Sequence, residues 1–154
     1  MRLVIHLSCL KDAREFFEAA GSYGREGTGL LIGSLRNDVV VARRFIAPDQ
    51  VTGRDGGWVE VTMQGKLYVA ANLHSDEVIV ARIHSHPSRA FHSAVDDSNP
   101  VLTAEGAWSI VVPYFGLGLR RGLETCAIYQ RRLGRWQELT ANEIMQDVSV
   151  INDN

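Results

Sequence analysis

His84 and His86 stand two residues apart at the end of the run E-V-I-V-A-R-I, and Pro87 follows at once. On a strand, residues i and i+2 point to the same side, so both imidazoles can reach a single ion. An aspartate about ten residues further on can complete a set of two histidines and one carboxylate. Such a set leaves the fourth tetrahedral position open to water, the layout of a catalytic rather than a structural metal. By itself H-x-H is a weak signal, more often plain surface polarity.

Three features add to it. Ser93 precedes Asp96 by three residues, a spacing that equally suits a capping box at a helix start. Upstream, E26-G-T-G-L-L-I-G33 puts an acid at the start of a glycine-rich apolar run, where a glutamate alone is more often an exposed edge charge. The order of the parts is the third: an acid on an early strand, histidines on a later one, an aspartate after them.

The elements that must position these residues read as alternating strands and helices. Residues 2–6 predict a short strand, and Ser8 is placed to cap the helix that follows. In that helix Ala13, Phe16, Phe17 and Ala20 form one apolar stripe, stopped by Gly21 and Gly24. TGLLIGSL and DVVVARRFIA read as a hairpin turning at residues 36–38, and residues 48–57 as a surface loop. WVEVTM is a strand, residues 64–73 a helix, and EVIVARI a strand that delivers the histidines at its carboxyl end. AWSIVVPYF, a glycine-rich turn, ETCAIYQRR, a tight turn at Gly134 and WQEL follow, and ANEIMQDVSVI reads as a C-terminal helix. Such alternation implies an α/β sandwich.

With 154 residues, 45% hydrophobic and 22% charged, the chain has the size and composition of one folded domain. Its net charge of -2 and pI near 6.2 offer no general attraction to nucleic acid or an anionic membrane. Cys9 and Cys126 form no C-x-x-C pair, so neither a disulfide framework nor a thiolate metal cluster is indicated, and a reducing compartment fits. Charges interrupt the N-terminal apolar run before a signal-peptide core or a membrane span is complete, so the expected location is cytoplasmic.

Taken together, these residues resemble the JAMM (MPN+, or JAB-domain) metalloprotease family, whose signature runs E-x-x-G, then H-[ST]-H-P, then S-x-x-D. Glu26 to Gly33 matches E-x-x-G-x-x-x-G, and Glu26, His84, Ser85, His86, Pro87, Ser93 and Asp96 stand in the family's order across nearly the whole chain. One departure is the spacing from proline to serine, Ser88 to His92, which is one residue shorter than usual. By S-x-x-D the third ligand is Asp96; by distance from His86 it is Asp97. Asp96 is preferred, because helix geometry ties it to Ser93 and a loop deletion changes only the loop.

The resemblance implies an α/β fold, an MPN/JAB-type α-β-α sandwich with a central mixed β-sheet of the cytidine-deaminase-like kind, in a single domain over residues 1–154. It implies one Zn²⁺ held by His84, His86 and Asp96, with Glu26 as the general base and acid and Ser93 as hydrogen-bond donor to the oxyanion. Ser85 would stiffen the strand end. It also implies a hydrolase that cuts peptide or isopeptide bonds after the C-terminal tail of a ubiquitin-like protein. The short connections around the motif are similar to those of minimal prokaryotic forms found beside E1-like and E2-like enzymes, so removal or maturation of a bacterial ubiquitin-like modifier is expected. Processing of a sulfur-carrier protein uses the same chemistry, and a non-catalytic MPN-type scaffold is the alternative from another class. Outside the motif, His92 lies beside Ser93, where it could face the substrate channel, but a solvated loop histidine is the favoured reading, and His6 and His74 have no site spacing. Arg120, Arg121, Arg131, Arg132 and Arg135 border the late hairpin and could grip an acidic partner, but a solvated sheet edge explains them as well and is favoured.

Overall fold

The computed structural model describes residues 1–55, 58–93 and 102–153. Strand β1 (Arg2–His6) runs directly into helix α1 (Leu7–Gly21). The N-cap is His6, without a side-chain cap, and Ser8 lies inside the first turn instead of capping it. Ser8 donates its backbone N–H and its hydroxyl to the Asp153 carboxylate at 2.9 and 2.7 Å, and His6 Nδ1 lies 3.0 Å from the same group. A carboxylate from the far end of the chain thus takes one of the orphan donors that a local cap would serve. Helix α1 buries Cys9, Leu10, Ala13 and Phe17, while Ala20 at the end of the expected stripe is only half-buried.

Strands β2 (Thr28–Arg36) and β3 (Val39–Ile46) form the expected hairpin, with Asn37 at φ 53° in its turn. The stretch expected as a loop holds β4 (Gln50–Thr52), paired antiparallel with β5 (Val59–Val61). β5 lies within the expected WVEVTM strand, whereas the three residues of β4, set among proline and glycines, carry too little alternation to be read from sequence. Helix α2 (Met63–Ala71) starts at Thr62, whose hydroxyl accepts from the Gly65 N–H at 3.0 Å. Strand β6 (Val78–Ser85) follows, then β7 (Trp108–Val112) and a 3₁₀ segment, Tyr114–Arg121. Strands β8 (Ala127–Arg132) and β9 (Arg135–Glu138) join through Leu133 and Gly134, both at positive φ as a tight hairpin turn requires.

The C-terminal stretch departs from expectation. Helix α3 (Ala141–Asp147) opens on a Thr140–Glu143 capping box but ends at Asp147, and β10 (Val148–Ile151) takes over. The open edge of β1 decides this: β10 pairs with it in parallel, Leu3 against Val148 and Ile5 against Val150. A helix there would have left those backbone groups without sheet partners.

Among the described residues eight strands form the main sheet, in the order β10-β1-β3-β2-β6-β7-β8-β9. It is mixed, with β1 parallel to β10 and β3, and β6 parallel to β7. One face packs under α1 through Leu3, Ile5, Phe17, Leu31, Ile83, Trp108 and Ile110. On the other, Leu30 and Ile32 meet Val69 of α2, so helices cover both faces of an α-β-α sandwich. Among the described residues no helix is long and apolar enough to cross a membrane.

Candidate functional site

The two-residue period of β6 sends Ala81 and Ile83 into the core beneath α1 and turns Arg82 and His84 to the opposite face. His86, one step beyond the strand end, continues the second series. His84 and His86 are each 4% exposed, and their ring centroids lie 5.2 Å apart. Two imidazoles buried side by side on one face can offer a nitrogen each to a single ion.

The strand start that carries Glu26 is bolted to this pair. Ser85, fully buried, donates its backbone N–H to the Gly27 carbonyl at 2.9 Å, and its hydroxyl accepts the Gly27 N–H at 2.9 Å. Thr28 stands directly opposite His84 in the β2–β6 register. Continued two residues, that register sets Glu26 against His86, and directly opposed residues share a face. Glu26 is 8% exposed, so its carboxylate is held largely out of water. Beyond the last β3 pairing, the Gln50 side chain serves as the missing strand: its amide accepts from the Thr28 N–H at 2.9 Å and donates to the Thr28 carbonyl at 2.9 Å.

The glycines of this stretch have packing reasons. A Cβ on Gly27 would meet the ring of Phe16 at 2.8 Å, and one on Gly29 would enter the ring of Phe45. One on Gly33 would overlap the Val41 carbonyl, beside the register shift in the β2–β3 ladder.

From the other side, the segment after β7 clamps the histidine loop. The His86 N–H donates to the Val112 carbonyl at 2.8 Å, and the His86 carbonyl accepts from the Phe115 N–H at 2.8 Å. The Tyr114 N–H donates to the Ser88 carbonyl at 2.9 Å. Tyr114 and Phe115 both hold positive φ, 56° and 52°, a conformation costing non-glycine residues about 1–3 kcal/mol each. This strained pair had no sequence signal beyond the following glycines. Phe91 packs edge-on to His86 with centroids 4.7 Å apart.

His92 is a correction. Instead of standing in solvent it is half-buried, stacked on Tyr129 with centroids 4.1 Å apart and 5.9 Å from His84. The space is lined by Arg82, Ser109 and Trp136, and a loop histidine can stack there because β8 and β9 present aromatic side chains on that face. Arg82, 3% exposed, was missed from sequence; its only signal was a charge inside an apolar strand two residues before His84. Ser93 is half-buried next to His92. Asp96 and Asp97 lie outside the described residues. Among the described residues no three His, Cys, Asp or Glu side chains form a metal-sized group.

Burial pushes the Cys9 thiol up to about 11 and the Cys126 thiol up to about 12. Both stay protonated at neutral pH, and neither is a thiolate nucleophile or ligand. His6 is engaged by Asp153 and His74 lies 3.5 Å from Glu77, both away from the pair. At the late hairpin, Arg120 pairs with Glu18 at 2.8 Å, Arg121 with Glu124 at 3.0 Å and Arg132 with Glu143 at 2.8 Å.

No protein-family model matches the chain. Over 110 residues it is 32% identical to a probable metalloprotease, y4jG, of Sinorhizobium fredii, covering 70% of this chain and 68% of that protein. Its fold is similar to a JAB1/MPN domain protein from Archaeoglobus fulgidus, at a TM-score of 0.52 and 21% identity over 98% of this chain and 99% of the other. A protein from Desulfitobacterium hafniense is similar at a TM-score of 0.60 and 14% identity, over 99% and 93% of the two chains.

Proposed function

The chain belongs to the JAB/MPN family of metalloproteases, and from that premise we propose that it is a zinc-dependent peptidase or isopeptidase acting after the C-terminal tail of a bacterial ubiquitin-like modifier. The observation that carries this reading is the double hydrogen bond between Gly27 and Ser85, which fixes the strand start bearing Glu26 alongside the buried His84–His86 pair. The donor set fits zinc: two adjacent imidazoles and, in this reading, the Asp96 carboxylate.

When bound, zinc lowers the pKa of a water to about 7 and polarises the attacked carbonyl. Glu26 takes the proton of that water onto its carboxylate and passes it to the leaving amine. Its low exposure keeps the proton from exchanging with bulk solvent before the C–N bond breaks. Ser93 donates its hydroxyl to the developing oxyanion, a contact worth ~3 kcal/mol of barrier. Ser85 and Gln50 hold the two strand ends in register, so that base and ligands keep their separation. An extended tail ending in glycines suits such a site because it can enter as an added strand without side chains to accommodate. E1-like and E2-like enzymes of the same system are the partners this substrate implies.

The test is a panel of bacterial ubiquitin-like and sulfur-carrier proteins, each fused through its C-terminal tail to a reporter and incubated with zinc-loaded protein. Cleavage at the end of a ubiquitin-like tail is the expected result. Cleavage of sulfur-carrier fusions alone would reassign the substrate, and cleavage of none would favour a scaffold. Metal content separates the two aspartates: Asp96→Ala should lose zinc and Asp97→Ala should retain it.

A further inference from the structure

Beneath the histidine pair lies a polar cluster that the mechanism above leaves unused. Arg82 Nε donates to Ser109 Oγ at 2.9 Å, and Arg82 Nη2 lies 2.9 Å from His92 Nε2. Ser109 Oγ lies 3.0 Å from the same His92 nitrogen. The Arg82 guanidinium sits 4.9 Å above the Trp136 ring, while His92 stacks on Tyr129 with 17° between planes. The Tyr129 hydroxyl accepts the His92 backbone N–H at 3.1 Å and donates to Glu138 Oε2 at 3.3 Å. Both the ring and the backbone of the residue before Ser93 are therefore held by a strand.

A guanidinium has donors only and keeps its charge in proteins. Nε2 of His92 must therefore accept from Arg82, and with that nitrogen unprotonated the Ser109 hydroxyl 3.0 Å away can only donate to it. A proton on Nε2 would point at the Arg82 N–H donors 2.9 Å away, which cannot accept it. The ring proton is thus set on Nδ1, and the ring cannot turn over without breaking both contacts. A buried arginine left without its partners is costly, which makes the cluster stiff as a unit.

We propose that Arg82 is a positioning residue: by fixing the tautomer and orientation of His92, it holds the backbone that presents Ser93 to the reacting carbonyl. This rests on the oxyanion role given to Ser93 above. Arg82 acts from the same strand that carries His84, so one rigid element sets both the metal ligand and the oxyanion donor. Misplacement of such a donor by about 1 Å costs on the order of 100-fold in rate.

The experiment uses the zinc-loaded full chain as wild type, Arg82→Met, Ser109→Ala and Ser109→Thr, with imidazole ¹⁵N spectra, zinc content and steady-state cleavage of a tail reporter. In the wild type the His92 ring should show the Nδ1–H tautomer alone, and in Arg82→Met a mixture. Arg82→Met should retain zinc and lose about 100-fold in kcat, with KM changed less than about 2-fold. Ser109→Ala should lose about 10-fold in kcat, the scale of one hydrogen bond, and Ser109→Thr, which keeps the hydroxyl, should recover it. An Nε2–H ring in the wild type, or an unchanged kcat in folded Arg82→Met, would overturn the proposal. If Arg82→Met does not fold, the Ser109 pair decides in the same way. If the wild type cleaves no reporter, the substrate reading fails and the ¹⁵N spectra alone decide whether Arg82 controls the His92 ring.

Discussion

Strands β6, β7 and β8 have two buried faces of opposite chemistry. Toward α1 they present Ala81, Ile83, Trp108, Ile110, Val112 and Ile128, with the buried polar side chains of Ser85 and Gln130 only at the ends of that series. Toward the other side the same strands present Arg82, His84, Ser109 and Tyr129, with His86 just beyond. The first face gains stability from apolar area removed from water; the second gives some of that up, since each buried polar group must be satisfied or it costs. A fully apolar sheet would be more stable and could hold no ion. The separation is not complete, since Val111 and Ala127 pack among the polar residues of the second face, but a slip of a single residue would still exchange the two sets.

Substitutions on the two faces should fail in different ways. The largest effect is expected from His86→Ala, which removes one of the proposed ligands: bound metal and turnover should both vanish, while thermal unfolding of the metal-free protein stays close to wild type. Collapse of that protein would show that the polar face is also structural. On the apolar face, Phe17→Ala should cost about 3–5 kcal/mol in denaturant unfolding, with metal binding intact in the folded fraction. Gly33→Ala tests the hairpin between the faces. A Cβ there must displace the Val41 carbonyl, for a loss of about 1–3 kcal/mol, and a neutral result would show that the ladder yields locally.

The smallest effect is expected from acid. Hydrogen bonds from Arg44 first, then from the His74 backbone, pull Glu77 down to about 2, and those from Arg132 and Thr140 do the same for Glu143. Because both folded values lie below the unfolded one, the stabilisation is complete above the ordinary carboxylate range and is lost as pH falls from about 4.5 toward 2. Melting temperatures should be flat from neutral pH to about 5 and fall below it, and Glu77→Gln should flatten part of that slope.

The legible and illegible parts of the molecule follow the same division. His84 and His86 could be placed because a strand's period and a following proline are local properties, although β6 runs to Ser85, two residues past the expected EVIVARI. Glu26 could be tied to them only through a resemblance, since the contact that joins them, Gly27 to Ser85, spans 58 residues. Arg82 was hidden because its partners come from β7 and from the loop at residue 92, and His92 was misread because nothing near it in sequence announces the Tyr129 ring. The change from helix to strand after Asp147 was equally hidden. V-S-V-I continues a helical pattern acceptably, and only the unpaired edge of β1 makes it a strand.

The most direct test of this division of labour is to measure bound zinc and tail cleavage together in Glu26→Ala. The prediction is full zinc occupancy with kcat reduced by about 10²–10⁴-fold, because in the proposed mechanism Glu26 is the base and not a ligand. Loss of zinc with turnover would make Glu26 a ligand, and cleavage at the wild-type rate would contradict its role as the base.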